Sequence, residues 1–199
     1  MQRDPLPPNF VVAKPIDAKK SRTAAVAIRE IEKRGTLIVT RKRDGHKVLV
    51  EVCLGNRVRI FRSGMGEIDH RLDYIRQEVR VHRFPVGTVL IGELVVERLE
   101  DGRLHDDVGT VGSVLGGSFK KAQEVLAKGP LPTLFVFNAL FPRPSGTSLE
   151  SKPYHVTLHW IQKNLNGYGL YVRSVERVVG TLPRIQRDVT EQGWEGLVL

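Results

Sequence analysis

A single cysteine, Cys53, stands in the 199 residues, so an internal disulfide framework is excluded. Cys53 falls in an apolar strand pattern and reads as core filler. No apolar run approaches the ~18 residues of a membrane span. The N-terminus has no apolar signal core. The expectation is therefore a soluble chain without a membrane partner, cytoplasmic or nucleoid-associated. Repeats, low-complexity tracts and clear linkers are also missing, which leaves one domain with a sizeable core, at 41% hydrophobic and 27% charged residues. His155 and His159 stand four apart on a helical pattern, yet a zinc site needs a third ligand and none follows in a recognisable spacing. They read as a solvated or packed pair. The glycine-rich stretch 109–118 lacks the Gly-Lys-Ser/Thr ending of a phosphate loop and reads as a flexible connection, with Lys120 and Lys121 behind it as candidate phosphate contacts. Acid is the scarcer charge: 22 Asp and Glu against 31 Lys and Arg give a net +9. An excess of this size fits a polyanionic partner, nucleic acid or nucleotide phosphate.

What is present alternates between β and helical patterns. After a proline-bearing N-terminal loop at 4–8, Ser21 is placed to cap a helix through about Arg34 that Gly35 ends. Strands are expected at 36–42, 46–53 and 57–62, the last two joined by a Gly55-Asn56 hairpin turn. A helix follows at 69–82, then a strand at 88–97 that Asp101-Gly102 turns out of. Residues 119–128 read as a helix stopped by Gly129-Pro130, and 133–140 as a strand before a proline-bearing loop at 142–146. Helix 149–165, strand 169–174, helix 182–192 and a final strand at 195–199 complete an α+β pattern with antiparallel hairpins. Arg71, Arg76, Arg80, His82 and Arg83 mark one segment as either a solvated helix face or a nucleic-acid groove.

The most informative segment is Lys42-Arg43-Asp44-Gly45, between the apolar runs 36–40 and 48–50. Asp-Gly there predicts a hairpin turn, since both residues tolerate positive φ. Lys42 then sits at a strand end between Arg41 and Arg43. Burial and cationic neighbours favour an uncharged amine, one route to a nucleophile able to attack phosphorus. Further polar residues interrupt apolar strands: Arg62 in Ile60-Phe-Arg-Ser-Gly64, Glu93 in Leu90-Ile-Gly-Glu-Leu-Val-Val96, and Glu195 ahead of Gly-Leu-Val-Leu199. A charge in an apolar strand costs desolvation unless it is paired or binds a ligand. One lysine, one arginine and two glutamates placed this way imply a shared pocket, with Phe137 of Phe135-Val-Phe-Asn138 beside it.

Taken in order, Lys-x-Asp-Gly, Gly-Glu-Leu-Val, Phe-Val-Phe-Asn and Glu-Gly-Leu-Val-Leu resemble the motif series of the covalent nucleotidyltransferases. That superfamily comprises ATP-dependent DNA ligases, RNA ligases and messenger-RNA capping enzymes. The likeness runs from about residue 15 to the end and is greatest to the adenylation domain of ATP-dependent DNA ligases. It implies a ligase-type nucleotidyltransferase domain, antiparallel sheets flanked by helices, ATP-grasp-like in outline. It also implies ATP and Mg²⁺ as cofactors, nicked duplex DNA as partner and a monomer. Residue by residue, it implies Lys42 as the adenylated nucleophile and Asp44 at the ribose, the lysine or the metal. Arg62, or Ser63 beside it, would approach ribose or phosphate, and Glu93 a ribose hydroxyl and the metal. Phe137 would stack on adenine and Glu195 would bind the divalent ion, with Thr40, Arg41 and Lys47 lining the nucleotide site.

The pattern departs from the family at named positions. Lys47 stands where an arginine is usual, keeping the charge and losing the bidentate fork. Thr40 stands where DNA ligases often carry a glutamate that reads the adenine amino group. Ile91 and Asn138 stand where aspartates are usual. A final Lys-x-Lys motif for the triphosphate and an OB-fold domain are expected beyond Leu199. An RNA ligase or capping-type enzyme is the alternative within the superfamily. A nucleic-acid-binding module that keeps the fold without competent chemistry is the alternative outside it.

Overall fold

A computed structural model describes residues 26, 30, 33, 38–62, 66–140, 154–165, 169–180, 182–192 and 194–198. The loops at 4–8 and 142–146, Ser63, and nearly all of the 21–34 helix lie outside the described residues.

Five strands form the main sheet, in the order β3-β2-β4-β7-β8. They are β2 (His46–Cys53), β3 (Arg57–Arg62), β4 (Val89–Val95), β7 (Thr133–Leu140) and β8 (Val172–Ser174). All pairs are antiparallel except β7 with β8. The three-residue β2–β3 turn, Leu54–Asn56, is tight because Gly55 and Asn56 both adopt left-handed φ, 71° and 60°. A second hairpin, β5 (Glu97–Glu100) and β6 (Arg103–Asp106), turns on Asp101 and Gly102 at φ 49° and 73°. A three-stranded sheet in the order β10-β1-β9 holds β1 (Val39–Lys42) between β9 (Arg177–Val178) and β10 (Gly196–Val198).

Side-chain alternation gives the main sheet two unlike faces. Val48, Val50, Val52, Val58, Ile60, Leu90, Leu94, Leu134 and Val136 point to one face and are buried. Four helices supply residues to that core: α1 (Asp73–Val81) with Ile75 and Val79, α2 (Val108–Gly116) with Val111 and Val114, α3 (Phe119–Lys128) with Ala122, and the later helix Tyr154–Leu165 with Ile161 and Leu165. Each fully buried Ile, Leu or Val contributes roughly 1.5–3 kcal/mol by leaving water. The other face carries Lys47, Leu49, Glu93, Phe135 and Phe137 and is covered in part by the start of helix α4 (Tyr154–Leu165) and by Ile38, just before β1. Helix α5 (Leu182–Gln192) lies between β9 and β10 in the chain.

Three expectations are corrected. Residues 109–118 are not a flexible connection: 108–116 are helical. Asp107 caps that helix, its carboxylate accepting the Thr110 amide at 2.9 Å, and the burial of Val111 and Val114 outweighs a glycine cost of about 1 kcal/mol each. Secondly, Asp44-Gly45 does not close a hairpin. β1 pairs with β9 and β10, and β2 pairs with β3 and β4, so the turn carries the chain from one sheet to the other. Gly45 is required by proximity, since a Cβ there would overlap the Leu94 carbonyl oxygen and lie 2.9 Å from Val95 Cγ2. Thirdly, Arg71 and Arg76 belong neither to a solvated face nor to a groove. Arg71 donates to the carbonyls of Val114 and Gly117 at 2.6 and 3.0 Å. Arg76 is buried and donates to the carbonyl of Asp69 at 2.7 Å. The ATP-grasp likeness finds no support in the topology; the architecture is a helix-backed antiparallel sheet with a smaller sheet beside its open face.

Candidate active site

Register brings the interrupting charges together. Lys42 is paired with Gly196 across β1 and β10, so Glu195 stands next to it, and the Lys42 ammonium donates to Glu195 Oε1. Both side chains remain partly exposed, at 40% and 37%. On the main sheet, Lys47 is paired with Glu93 and Glu93 with Phe135. Glu93 is electrostatically coupled to Glu195, Lys42, Lys47 and Asp44. The nucleophile candidate comes from one sheet and the carboxylate facing it from the other.

Two carboxylates of the cluster are shifted upward. Glu93 is pushed above the ordinary carboxylate range first by burial and then by the Glu195 charge. Asp44 is pushed up by the same two causes in the same order. Among the described residues no group of three or more His, Cys, Asp and Glu side chains forms a ready-made metal cage. Magnesium, however, commonly takes one or two carboxylates and completes its shell with water and substrate phosphate. Glu93, whose charge is disfavoured by burial and by Glu195, together with the partly exposed Glu195, fits a hard cation shared with a phosphate.

Phe137 occupies an irregularity in β7. Gly92 pairs with Val136 and Ile91 with Asn138, so Phe137 is the extra residue between them. The bulge leaves the ring half-buried, touching both small apolar clusters of the open face. Phe135, paired with Glu93, is buried and lies beneath Arg43, whose guanidinium carbon is 3.8 Å from the ring centroid. Tyr154, at the start of α4, joins the same cluster and is hydrogen-bonded to Thr40, which is fully buried in β1. Thr40 and Lys42 share a face of β1 by alternation. Thr40 thus links the face of β1 that carries Lys42 to the cluster of Tyr154, Phe137 and Phe135, the last paired with Glu93.

Two nucleotide-site candidates lie elsewhere. Arg41 projects to the opposite face of β1 from Lys42, donates to Asp106 Oδ1 at 3.0 Å and sits 5.5 Å from the Trp194 ring. Arg62 pairs with Val48, on the helix-covered face of the sheet, and lies 3.5 Å from His46 Nδ1. The alternation Val58-x-Ile60-x-Arg62 held that signal. Sequence reasoning missed Asp106 and Glu97, which pair across the β5–β6 hairpin and meet the arginines around Lys42. No motif marks them.

No protein-family model matches the sequence, and no curated protein matches it. Solved structures do share its fold. The ligase domain from M. tuberculosis LigD superposes with a TM-score of 0.54 at 19% identity, over 80% of this chain and 46% of that one. A mycobacterial DNA ligase D complexed with ATP and MES gives 0.53 at 19%, over 80% and 46%. The structure named Pmar-Lig_Pre gives 0.54 at 15%, over 84% and 39%. This chain thus spans less than half the length of the solved chains it matches. The likeness is one of fold: the chain has the architecture of a ligase-type nucleotidyltransferase domain.

Proposed function

We propose that this chain is the adenylation domain of an ATP-dependent polynucleotide ligase, with Lys42 as its nucleophile and nicked duplex DNA as the substrate class. The observation that carries the reading is the convergence of Lys42, Glu195 and Glu93 from two separate sheets beside a half-buried Phe137. Lys42 and Glu195 pair with each other, while Glu93 bears a burial cost that a bound cation or sugar hydroxyl would offset. A fold shared with a ligase bound to ATP supports the same reading.

In the first step the unprotonated Lys42 Nζ attacks the α-phosphorus of ATP. The N–P bond forms as the bond to the bridging oxygen breaks, and pyrophosphate leaves with its electron pair. Nζ must have lost its ammonium proton, for which the adjacent Glu195 carboxylate is a direct acceptor. A 5′-phosphate oxygen at a nick then takes the adenylyl group from Lys42, and a 3′-hydroxyl displaces AMP to seal the strand. Mg²⁺, held by Glu195 and Glu93, would supply charge neutralisation at the phosphates. The protein's own work is positioning and electrostatics, as phosphoryl-type transfer demands. Phe137 offers a face for the purine, and Thr40 with Tyr154 places hydroxyls near it in place of a carboxylate.

Incubation with α-labelled ATP and Mg²⁺ should leave an acid-labile adenylate on the protein, and Lys42→Ala should abolish it. Label persisting in Lys42→Ala removes the lysine from its role. Sealing of nicked DNA against nicked RNA separates the DNA from the RNA ligase reading. Salt-sensitive retention on nicked duplex without any adenylate would favour a binding module instead.

A further inference from the structure

We propose that Asp106 is the positioning residue of the nucleophile: one carboxylate ties the side chains that flank Lys42 and the backbone amide of Asp44, while the Lys42 amine stays outside the clamp and pairs with Glu195. The proposal rests on the adenylation reading for its kinetic consequence, but not for its geometry. Asp106 Oδ1 accepts from Arg41 Nη2 at 3.0 Å and from Arg43 Nη1 at 3.2 Å, while Oδ2 accepts the Asp44 amide at 2.9 Å. The residue before Lys42, the residue after it and the turn that follows are thus tied to one side chain. That side chain is 4% exposed, whereas Lys42 is 40% exposed.

The rest of the cluster confirms that the segment is held from behind. Arg43 Nη1 also donates to Glu97 Oε1 at 2.7 Å, and its guanidinium covers the Phe135 ring of the main sheet. Arg173 Nη1 also lies 3.8 Å from Glu97 Oε2, so two carboxylates are shared among three guanidiniums. Alternation along β1 puts Arg41 and Lys42 on opposite faces, and Arg43 follows the end of the strand. Charge-assisted bonds of this kind are short and directional, and truncating one partner of a buried set leaves the others unpaired. Because Gly45 leads directly into β2, the clamp fixes the only stretch of chain that links Lys42 to the strand carrying Lys47. A misplacement of about 1 Å in a nucleophile can cost on the order of 100-fold in rate.

The test uses the whole chain with Asp106→Ala and Asp106→Asn. Hydrogen exchange of the Asp44 amide and backbone order parameters over residues 41–45 report the clamp without reference to activity. In Asp106→Ala, exchange at Asp44 should rise at least about tenfold and the order parameters at 41–45 should fall. In single-turnover adenylation, kcat should fall by about 10- to 100-fold while KM for ATP stays within about twofold. Asp106→Asn keeps the shape and loses the charge that gathers the guanidiniums; its kcat should fall about tenfold. Adding Arg41→Met to Asp106→Ala removes an orphaned charge and should recover thermal stability without recovering rate. Unchanged exchange and order in Asp106→Ala overturns the proposal, as does wild-type kcat in Asp106→Asn or a rate that returns with stability in the double variant. If the wild-type chain forms no adenylate but Asp106→Ala still frees residues 41–45, the clamp stands and the adenylation reading falls.

Discussion

Replacing Gly45 by alanine tests the crossover between the sheets with one methyl group. The glycine is not held at positive φ, so left-handed strain is absent and only contact matters. An added Cβ would meet the Leu94 carbonyl oxygen inside van der Waals distance, Val95 Cγ2 at 2.9 Å and Glu93 Cγ at 3.0 Å. Comfortable carbon–carbon separations are about 3.5–4.0 Å, so each side-chain contact is short by about 0.5–1 Å. The Val95 and Glu93 side chains can rotate in part; the Leu94 carbonyl belongs to β4 and cannot. Overpacking of this kind costs about 1–3 kcal/mol, and a backbone obstacle puts Gly45→Ala near the upper end, about 3 kcal/mol. For a chain of this length, each kcal/mol lowers Tm by about 2–4 °C, which gives about 6–12 °C.

The same displacement separates Lys42 from Glu93, because the strand carrying the glutamate is what the new methyl pushes. Adenylation should slow by about 10- to 100-fold at saturating ATP. Thermal denaturation followed by circular dichroism, together with single-turnover adenylation of the folded protein, measures both effects. Gly66→Ala is the control: no atom lies within 4 Å of its Cβ, and its cost should stay within about 0.5 kcal/mol. Gly55→Ala separates strain from contact, with open space but φ at +71°. It should lose about 1–2 kcal/mol without slowing adenylation. A Gly45→Ala protein melting within about 1 °C of wild type and adenylating at wild-type rate would refute the close-approach argument.

Two further outcomes are expected. Phe137→Leu should keep the fold but remove an aromatic face worth about 1–3 kcal/mol to a stacked base, raising KM for ATP by about 5- to 150-fold; an unchanged KM would take the ring out of the nucleotide site. Hydrogen bonds from the Arg71 side chain hold the Asp69 carboxyl below its ordinary range. A depressed carboxyl contributes stability above its unfolded value of about 3.9 and loses it as pH falls through the lower folded value. With 42% of that side chain exposed, solvent screening keeps the contribution under about 1 kcal/mol. Urea denaturation should therefore find Asp69→Asn less stable than wild type at neutral pH, with the difference vanishing in acid; a difference that persists unchanged in acid contradicts the linkage.

The parts of the site that were legible in sequence are those where a charge breaks an apolar strand. Lys42, Glu93 and Glu195 stood out because desolvation makes such positions improbable without a reason, and their strands converge as the motif order implies. Phe137 was visible as a residue, but its bulge was not, since a bulge depends on which partner strand shifts register. The Asp44-Gly45 turn was misread because local turn chemistry identifies a reversal and not the strands that flank it in space. Its true neighbours, β10 and β9 on one side and β3 and β4 on the other, are far away in sequence. The helix at 108–116 was hidden by its glycines, whose low propensity was overridden by burial against the sheet. Arg41 could have been turned away from Lys42 by alternation alone. Asp106 could not have been found, since an acid in a short charged hairpin looks the same whether it faces water or two arginines.

The division of the site between two sheets has a mechanical consequence. Lys42 and Glu195 move with β1 and β10, while Glu93, Lys47 and Phe137 move with the main sheet. The distance between nucleophile and nucleotide platform is therefore an inter-sheet distance, set by the few groups that cross the gap. Those groups are Gly45 against Leu94, Arg43 over Phe135, and Tyr154 against Thr40. None is a charge-bearing participant in the proposed transfer, yet each fixes where the participants meet. Within the small sheet the Lys42–Glu195 pair is local and stays together whatever the separation. What the separation changes is whether Glu93 shares a cation and a phosphate with that pair. Under the proposed function, adenylation would depend on this one inter-sheet coordinate, which the Gly45 approach and the Asp106-held Arg43 set in this chain.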